Sequence, residues 1–397
     1  MAHVADLFAD WAKLGLSLEV PVNGHIETRY RISTGEWSTP ELVKDNNISV
    51  SGLSPGLNYG QQCYEGMKAF RQATSSDSDK IVVFRPEFHA ARLARSADSV
   101  CLPPPPQELF LQCIQKAVAV NAEFVPPSTT PGFMYIRPVL FGSSTQLGLA
   151  PSDEAVFAVY VLPTAPYHGV SALDALVLED FDRAAPKGMG GYKVGGNYAP
   201  VWRHAKKAKE MGYGITLHLD SRTRTMVEEF STSGFLGMKV EGDQRKLLVP
   251  STDNAINSAT SDSIVRLAEL DGWQVERREV EFTELQDLSE VVAVGTAAAA
   301  VPIRSIERLS TSDKFIFQGT SGEEGIESKL LGLAQRMGNI QRGKHEDAES
   351  WCWEVQDPTP RKAPVRPGQM GLRKDSRTGH MVMKLRRESS YSAQVTA

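Results

Sequence analysis

The chain has 397 residues, enough for two ordinary domains, and its 41% hydrophobic and 23% charged residues are those of a globular protein rather than a disordered or fibrous one. Its formal charge of -5 is uneven: from Gln356 to Ala397 nine Lys/Arg face three Asp/Glu, scattered among Pro, Gly and Ser with one aromatic, Tyr391. That composition predicts a basic, disordered tail over 356–397 rather than a nucleic-acid-binding arm.

No apolar run approaches the roughly 20 residues of a membrane span. The N-terminus shows neither a secretory nor a mitochondrial pattern, so the expected compartment is the cytoplasm. Four separated cysteines without CxxC, and eight histidines without ligand spacing, predict neither a disulfide framework nor a metal site.

In chain order, GLNYGQQCYEGMKAF (56–70) reads as strand and turn, with Tyr59, Tyr64, Glu65 and Lys68 among its glycines. IVVFR (81–85) is a buried strand, and Pro86 opens a helix carrying Arg92 and Arg95. Arg95 reads as part of a solvated basic face. After the rigid spacer Pro103–Pro106 comes an amphipathic helix near 108–122 with Phe110, Cys113, Ile114, Ala117 and Val118 at helical spacing. GFMYIRPVLFG (132–142) is a strand with Tyr135 and with Arg137 among apolar residues, where a charge needs an anion or a partner.

AVFAVYVLP (155–163) closes a first domain, 1–163. The aperiodic TAPYHGVSA stretch, with Tyr167, supplies a linker over 164–175, and a second domain occupies 176–355. Within it, FDRAAPKGMGGYKVGGNYAP (181–200) places Lys193 between Gly190-Gly191 and Gly195-Gly196, with Tyr198 five residues on. Those glycines predict positive φ and close backbone approach around the lysine.

VWRHAKKAKEMG is a helix stopped by Gly212. The following strand carries Glu228 and Glu229, whose side chains point to opposite faces, so one faces a site and the other solvent. SATSDSIVRLAEL (258–270) begins a helix with Thr260, Ser261 and Asp262 as capping types, and its N-terminus suits an anion. VVAVGTAAAAVPI (291–303) is a strand broken at Gly295-Thr296, where Thr296 offers a hydroxyl and a backbone N–H.

A shaped lysine, a strand carboxylate, a tyrosine, an arginine and a helix N-terminus are the parts needed to hold pyridoxal 5′-phosphate. The chain closely resembles the branched-chain amino acid aminotransferases, of fold type IV among pyridoxal-phosphate enzymes, over roughly 11–355. The matching motifs are Tyr59–Arg71 (YxxxxxEGMKAFR), Arg95–Pro103, Tyr135–Pro138 (YIRP), Tyr192–Pro200 (YKVGGNYAP) and Gly295–Ala297 (GTA).

The resemblance implies a mixed α/β (α+β) two-domain fold with the cofactor at the domain interface, and a homodimer. It implies Lys193 as the Schiff-base lysine, Tyr198 on the cofactor's phenolic oxygen and Glu228 on its ring nitrogen, with Glu229 outward. Arg92, Thr296 and the backbone of Ala259 and Thr260 would hold the phosphate. Tyr59, Tyr64, Tyr135, Tyr167 and Ala297 would line the substrate pocket, with Arg137 binding 2-oxoglutarate or glutamate. The implied reaction is ping-pong transfer between branched-chain L-amino acids and 2-oxoglutarate.

The chain departs from that family at Asn257–Ser261, where Pro-Gly-Val-Thr-Arg is usual, at Tyr64 for Phe and at Ser231 for Thr. The last two make the pocket more polar. They raise the alternative of a paralogue acting on an unusual 2-oxo acid in a fungal secondary-metabolite pathway. A non-catalytic protein on the same scaffold is the remaining alternative.

Overall fold

The computed structural model describes the chain apart from residues 1–10, 12–13, 17–19, 21, 75–78, 166–170, 297–298, 324, 357–369, 375–380 and 386–397. Two nine-stranded sheets carry the fold. The first runs Cys352–Glu354, Lys80–Phe84, Met67–Gln72, Phe133–Gly142, Glu154–Thr164, His25–Arg31, Glu36–Trp37, with Glu41–Val43 and Gln62–Tyr64 attached at the side. Its long central pair stays in antiparallel register from Phe133 opposite Thr164 to Gly142 opposite Ala155. Both strands read as near-continuous apolar runs because helices Pro86–Asp98 and Gln107–Val120 bury the face that water would otherwise wet.

The second sheet runs Val227–Phe230, Ile215–Leu219, Leu173–Val177, Ala299–Arg308, Glu290–Gly295, Gly234–Glu241, Gln244–Pro250, Gln274–Arg278, and Asp313–Ile316 pairs with Ala299–Arg308. Helices Ala259–Leu270 and Lys329–Gln341 sit against it. They share one apolar cluster with residues of both sheets, Phe70, Val82, Phe84 and Phe133 from the first and Leu236, Met238, Val292 and Val294 from the second. This shared core fixes one sheet against the other and so fixes the cleft between them.

Three boundaries differ from the sequence expectation. Leu173–Val177 lies partly inside the expected linker and already belongs to the second sheet. Cys352–Glu354, expected in the second domain, pairs antiparallel with Lys80–Phe84 and completes the edge of the first sheet. The expected disordered tail contains two strands, Met370–Lys374 and Met381–Leu385, which pair antiparallel as a sheet of their own. The pairing of Cys352–Glu354 joins segments far apart in the chain, so local composition does not reveal it. No helix among the described residues is long and apolar enough to cross a membrane.

Candidate active site

Lys193 is held by residues of the N-terminal stretch although it lies beyond the expected linker. Its backbone N–H donates to Ser96 Oγ at 3.0 Å, and its carbonyl accepts from Tyr64 N–H at 3.1 Å. Cys63 and Val194 form a β-bridge beside it. The side chain is half-buried, and Nζ donates to Tyr198 Oη at 3.0 Å. The surrounding glycines do not adopt positive φ, contrary to the sequence reading. Neighbours press on three of them: a Cβ at Gly190 would strike Ala184, at Gly191 the Asp253 carbonyl, and at Gly195 the Gln62 amide, whereas Gly196 has open space around it.

The two glutamates point the other way from the sequence reading. Glu229, not Glu228, lines the cavity of about 140 Å³ that holds Lys193, Tyr198, Arg92 and Thr296. Glu228 turns to a larger groove, where its carboxylate accepts from Asn254 Nδ2 at 2.5 Å and its other oxygen has no partner among the described residues. Neither faces solvent: Glu228 is 3% and Glu229 5% exposed, because Val227–Phe230 is covered on both faces. The pairing with the neighbouring strand runs His218 opposite Glu229 and Leu219 opposite Val227, which makes Glu228 the extra residue of a bulge.

Glu229 pairs with Arg183 at 2.6 Å and accepts from Ile256 N–H at 3.3 Å. Burial pushes its carboxyl up to about 7, against the opposing pull of Arg183. Arg183 was missed in the sequence. It stands in the FDRAAP run ten residues before Lys193, but only the fold shows that its side chain is buried and donates to the carbonyls of Gly190 and Asn254.

On the opposite wall Arg92 makes a two-pronged pair with Glu65, Nε and Nη2 each 2.6 Å from a carboxylate oxygen, and donates through Nη1 to the Asn257 carbonyl. His89 Nδ1 is 2.7 Å from the same carboxylate. Glu65, fully buried, is a second site-shaping residue to which sequence reasoning gave no role. Its signal was its place in the EGMKAF motif.

Helix Ala259–Leu270 is capped by Ser258, whose Oγ accepts from Ser261 N–H at 3.2 Å, rather than by the three residues named from the sequence. The first-turn N–H groups of Ala259 and Thr260 are left as donors without an intrahelical partner. Ser258 and Thr296 line the cavity, and Thr260 stands on the far side of Thr296 in a smaller one.

Of the expected substrate residues, Tyr135 lines the cavity, and it reaches there only because Gly66 has no Cβ to strike its hydroxyl. Tyr64 packs 5.2 Å from the Tyr198 ring, with Lys193 Nζ 4.8 Å from its centroid. Arg137 is exposed, not embedded in apolar surroundings as its strand suggested. Its guanidinium lies 4.8 Å over Tyr64 and donates to Tyr135 Oη at 2.9 Å. Tyr59 is half-exposed and donates to the Leu147 carbonyl at 2.7 Å, away from Lys193. Tyr167 and Ala297 lie outside the described residues.

Residues 62–306 match the amino-transferase class IV family. The chain belongs to the class IV aminotransferases. Over 354 residues it is 48% identical to Aminotransferase poxL of Penicillium oxalicum, covering 89% of this chain and 95% of that one. It is 48% identical over 358 residues to Transaminase AMT5 of Alternaria alternata, covering 89% and 94%. Among solved structures, the branched-chain aminotransferase of the thermophilic archaeon Thermoproteus uzoniensis with norvaline superposes with a TM-score of 0.65 at 24% identity, covering 83% of this chain and 99% of that one. A bacterial branched-chain amino acid aminotransferase solved with pyridoxamine 5′-phosphate superposes equally well, with a TM-score of 0.65 at 22% identity over 84% of this chain and 99% of that one.

The aminotransferase thus has the fold type IV architecture expected of it, and the cofactor of this class is pyridoxal 5′-phosphate. The residues present fit that group. A primary amine faces a phenol, a buried carboxylate lies in the same cavity, and an arginine and a capped helix start bound one end of it.

Proposed function

We propose that this aminotransferase moves an amino group between 2-oxoglutarate and an L-amino acid more polar or bulkier than leucine, as a fungal-type paralogue of the branched-chain enzymes. The observation that carries the side-chain reading is the hydroxyl-bearing turn Ser231–Thr232–Ser233, which lines the cavity together with Lys193. A pocket that offers hydroxyls leaves them unpaired against a purely aliphatic side chain, which costs affinity.

When bound, pyridoxal phosphate supplies an electrophilic carbonyl and a ring that takes up the electron pair released at the substrate Cα. Lys193 Nζ, positioned by Ser96 and Tyr64 through its backbone, is assigned as the base that takes and returns the proton at the substrate Cα. Tyr198 holds that amine at 3.0 Å and is assigned to the cofactor's phenolic oxygen. Glu229, rather than Glu228, is assigned to the ring nitrogen, where a carboxylate keeps a proton in place. Arg92, the N–H groups of Ala259 and Thr260, and Thr296 are assigned to the phosphate. Tyr135 and Arg137 are assigned to the carboxylates of substrate.

Initial rates with a panel of amino donors and 2-oxoglutarate test the reading. The expected result is turnover with polar or bulky donors above that with valine, leucine and isoleucine, and none in Lys193→Ala. Fastest turnover of the three aliphatic donors would replace this reading with the branched-chain one.

The resemblance also carries a homodimer, and the surface near Tyr59 supports it. Leu57 (64%), Leu147 (53%) and Leu149 (89%) stand exposed around the Tyr59–Leu147 hydrogen bond, an apolar patch that a second copy would cover. Sedimentation should give twice the chain mass for the wild type and the chain mass for Leu149→Glu. A monomeric wild type would remove the proposal.

A further inference from the structure

Lys68 stands on strand Met67–Gln72, opposite Tyr135 of the neighbouring strand. The residue is 8% exposed, yet among the described residues no hydrogen-bond acceptor and no carboxylate reaches its ammonium, which lies 4.2 Å from the centroid of the Phe133 ring. Beside it a groove of about 490 Å³ opens between the two sheets, floored by helix Lys329–Gln341 and walled by residues 129–131. Arg342, at the C-terminal end of that helix, enters the same groove. Its guanidinium donates to the carbonyls of Gly338 (3.2 Å) and Pro131 (2.7 Å), lies 5.1 Å over Phe70 and meets no carboxylate among the described residues. Lys344 adds a third cation at the exposed rim. None of the described residues lining the groove is Asp or Glu, and its remaining polar groups, such as Thr130 and Asn339, include hydroxyls and amides able to donate.

Cations taken out of water are ordinarily paired, because the uncompensated charge is costly. Burial, with Arg342 adding like-charge repulsion, pushes the Lys68 ammonium down to about 7. A buried cation and a half-buried one thus share one wall with no counter-charge among the described residues, in a groove of the size that small ligands occupy, about 300–1,000 Å³.

We propose that this groove is a binding site for a small anion bearing phosphate or carboxylate groups, separate from the active site, with Lys68 and Arg342 as its inner cations and Lys344 at its mouth. Lys68 also lines a cavity of about 20 Å³ with His89, Thr260 and Thr296. Lys68 therefore stands between the anion site and the residues assigned to the cofactor phosphate. The inference stands on the groove alone and does not depend on which amino acid the enzyme accepts.

Calorimetric titration of the cofactor-saturated enzyme with inorganic pyrophosphate, and separately with citrate, tests it. At least one probe should bind once per chain, with pyrophosphate alone indicating a phosphate ligand and citrate alone a polycarboxylate. Lys344→Glu, an exposed change that leaves the core intact, and Lys68→Met should each weaken binding about tenfold or more, with the absorbance of the bound cofactor unchanged. The proposal is overturned if neither probe binds or if both variants bind as the wild type does. Loss of cofactor absorbance in step with the heat would place the probe in the active site and overturn it equally.

Discussion

Two buried glutamates, Glu229 lining the cleft and Glu65 behind the Arg92 that lines it, are driven apart by their surroundings. Glu65 takes two hydrogen bonds from Arg92, lies 2.7 Å from His89 Nδ1 and accepts from Gly66 N–H. Burial raises its carboxyl, but Arg92 and His89 outweigh that and hold it well below the usual carboxylate range. Glu229 has one arginine and one backbone N–H, and there burial wins. The same residue type thus serves as a fixed anchor for an arginine on one side and as a carboxyl close to titration on the other. The number of donors, not depth, decides which.

Breaking the anchor has the largest expected effect. Glu65→Ala leaves Arg92 buried and unpaired, and should cost about 3–5 kcal/mol of stability in denaturant titration. The pH dependence follows in sign. Glu65 binds a proton less readily folded than unfolded, where its ordinary value is 4.5. Its contribution is therefore complete above that pH and drains away as pH falls below it toward the folded value. Wild type should lose stability more steeply than Glu65→Gln between about pH 5 and about pH 3; parallel curves would show that the pair is not the anchor described.

The tunable side is tested by turnover. Glu229→Gln should lower kcat about a hundredfold, the scale of a lost proton-holding group, while Glu228→Gln stays near wild type. The opposite ranking would return the ring-nitrogen role to Glu228. The smallest effect is at the cap: Ser258→Ala should cost about 1 kcal/mol and, if the phosphate assignment holds, weaken cofactor retention on dialysis.

Much of the fold is legible from local pattern. Pro86 does open a helix, Gly212 does end one at positive φ, and 133–142 and 154–164 form strands where apolar runs place them. Legibility fails where a side chain's surroundings come from elsewhere in the chain. Arg137 sits in an apolar run but opens to solvent, Arg183 sits in a polar run but is buried, and the glycines beside Lys193 answer to neighbours from other segments rather than to their own φ.

The sequence by itself determined many of the helices and strands, the spacing of Tyr198 five residues beyond Lys193, and membership of a recognisable family, because these depend on periodicity and short motifs. Only the tertiary structure decided that Glu229 turns inward and that Glu65 clamps Arg92. It alone returned Cys352–Glu354 to the first sheet and brought Lys68 and Arg342 together on one wall. Alternation along a strand says that two neighbours face opposite ways. Which way is inward depends on how the strand pairs with its neighbour and on what covers each face, and neither is written in the residues themselves.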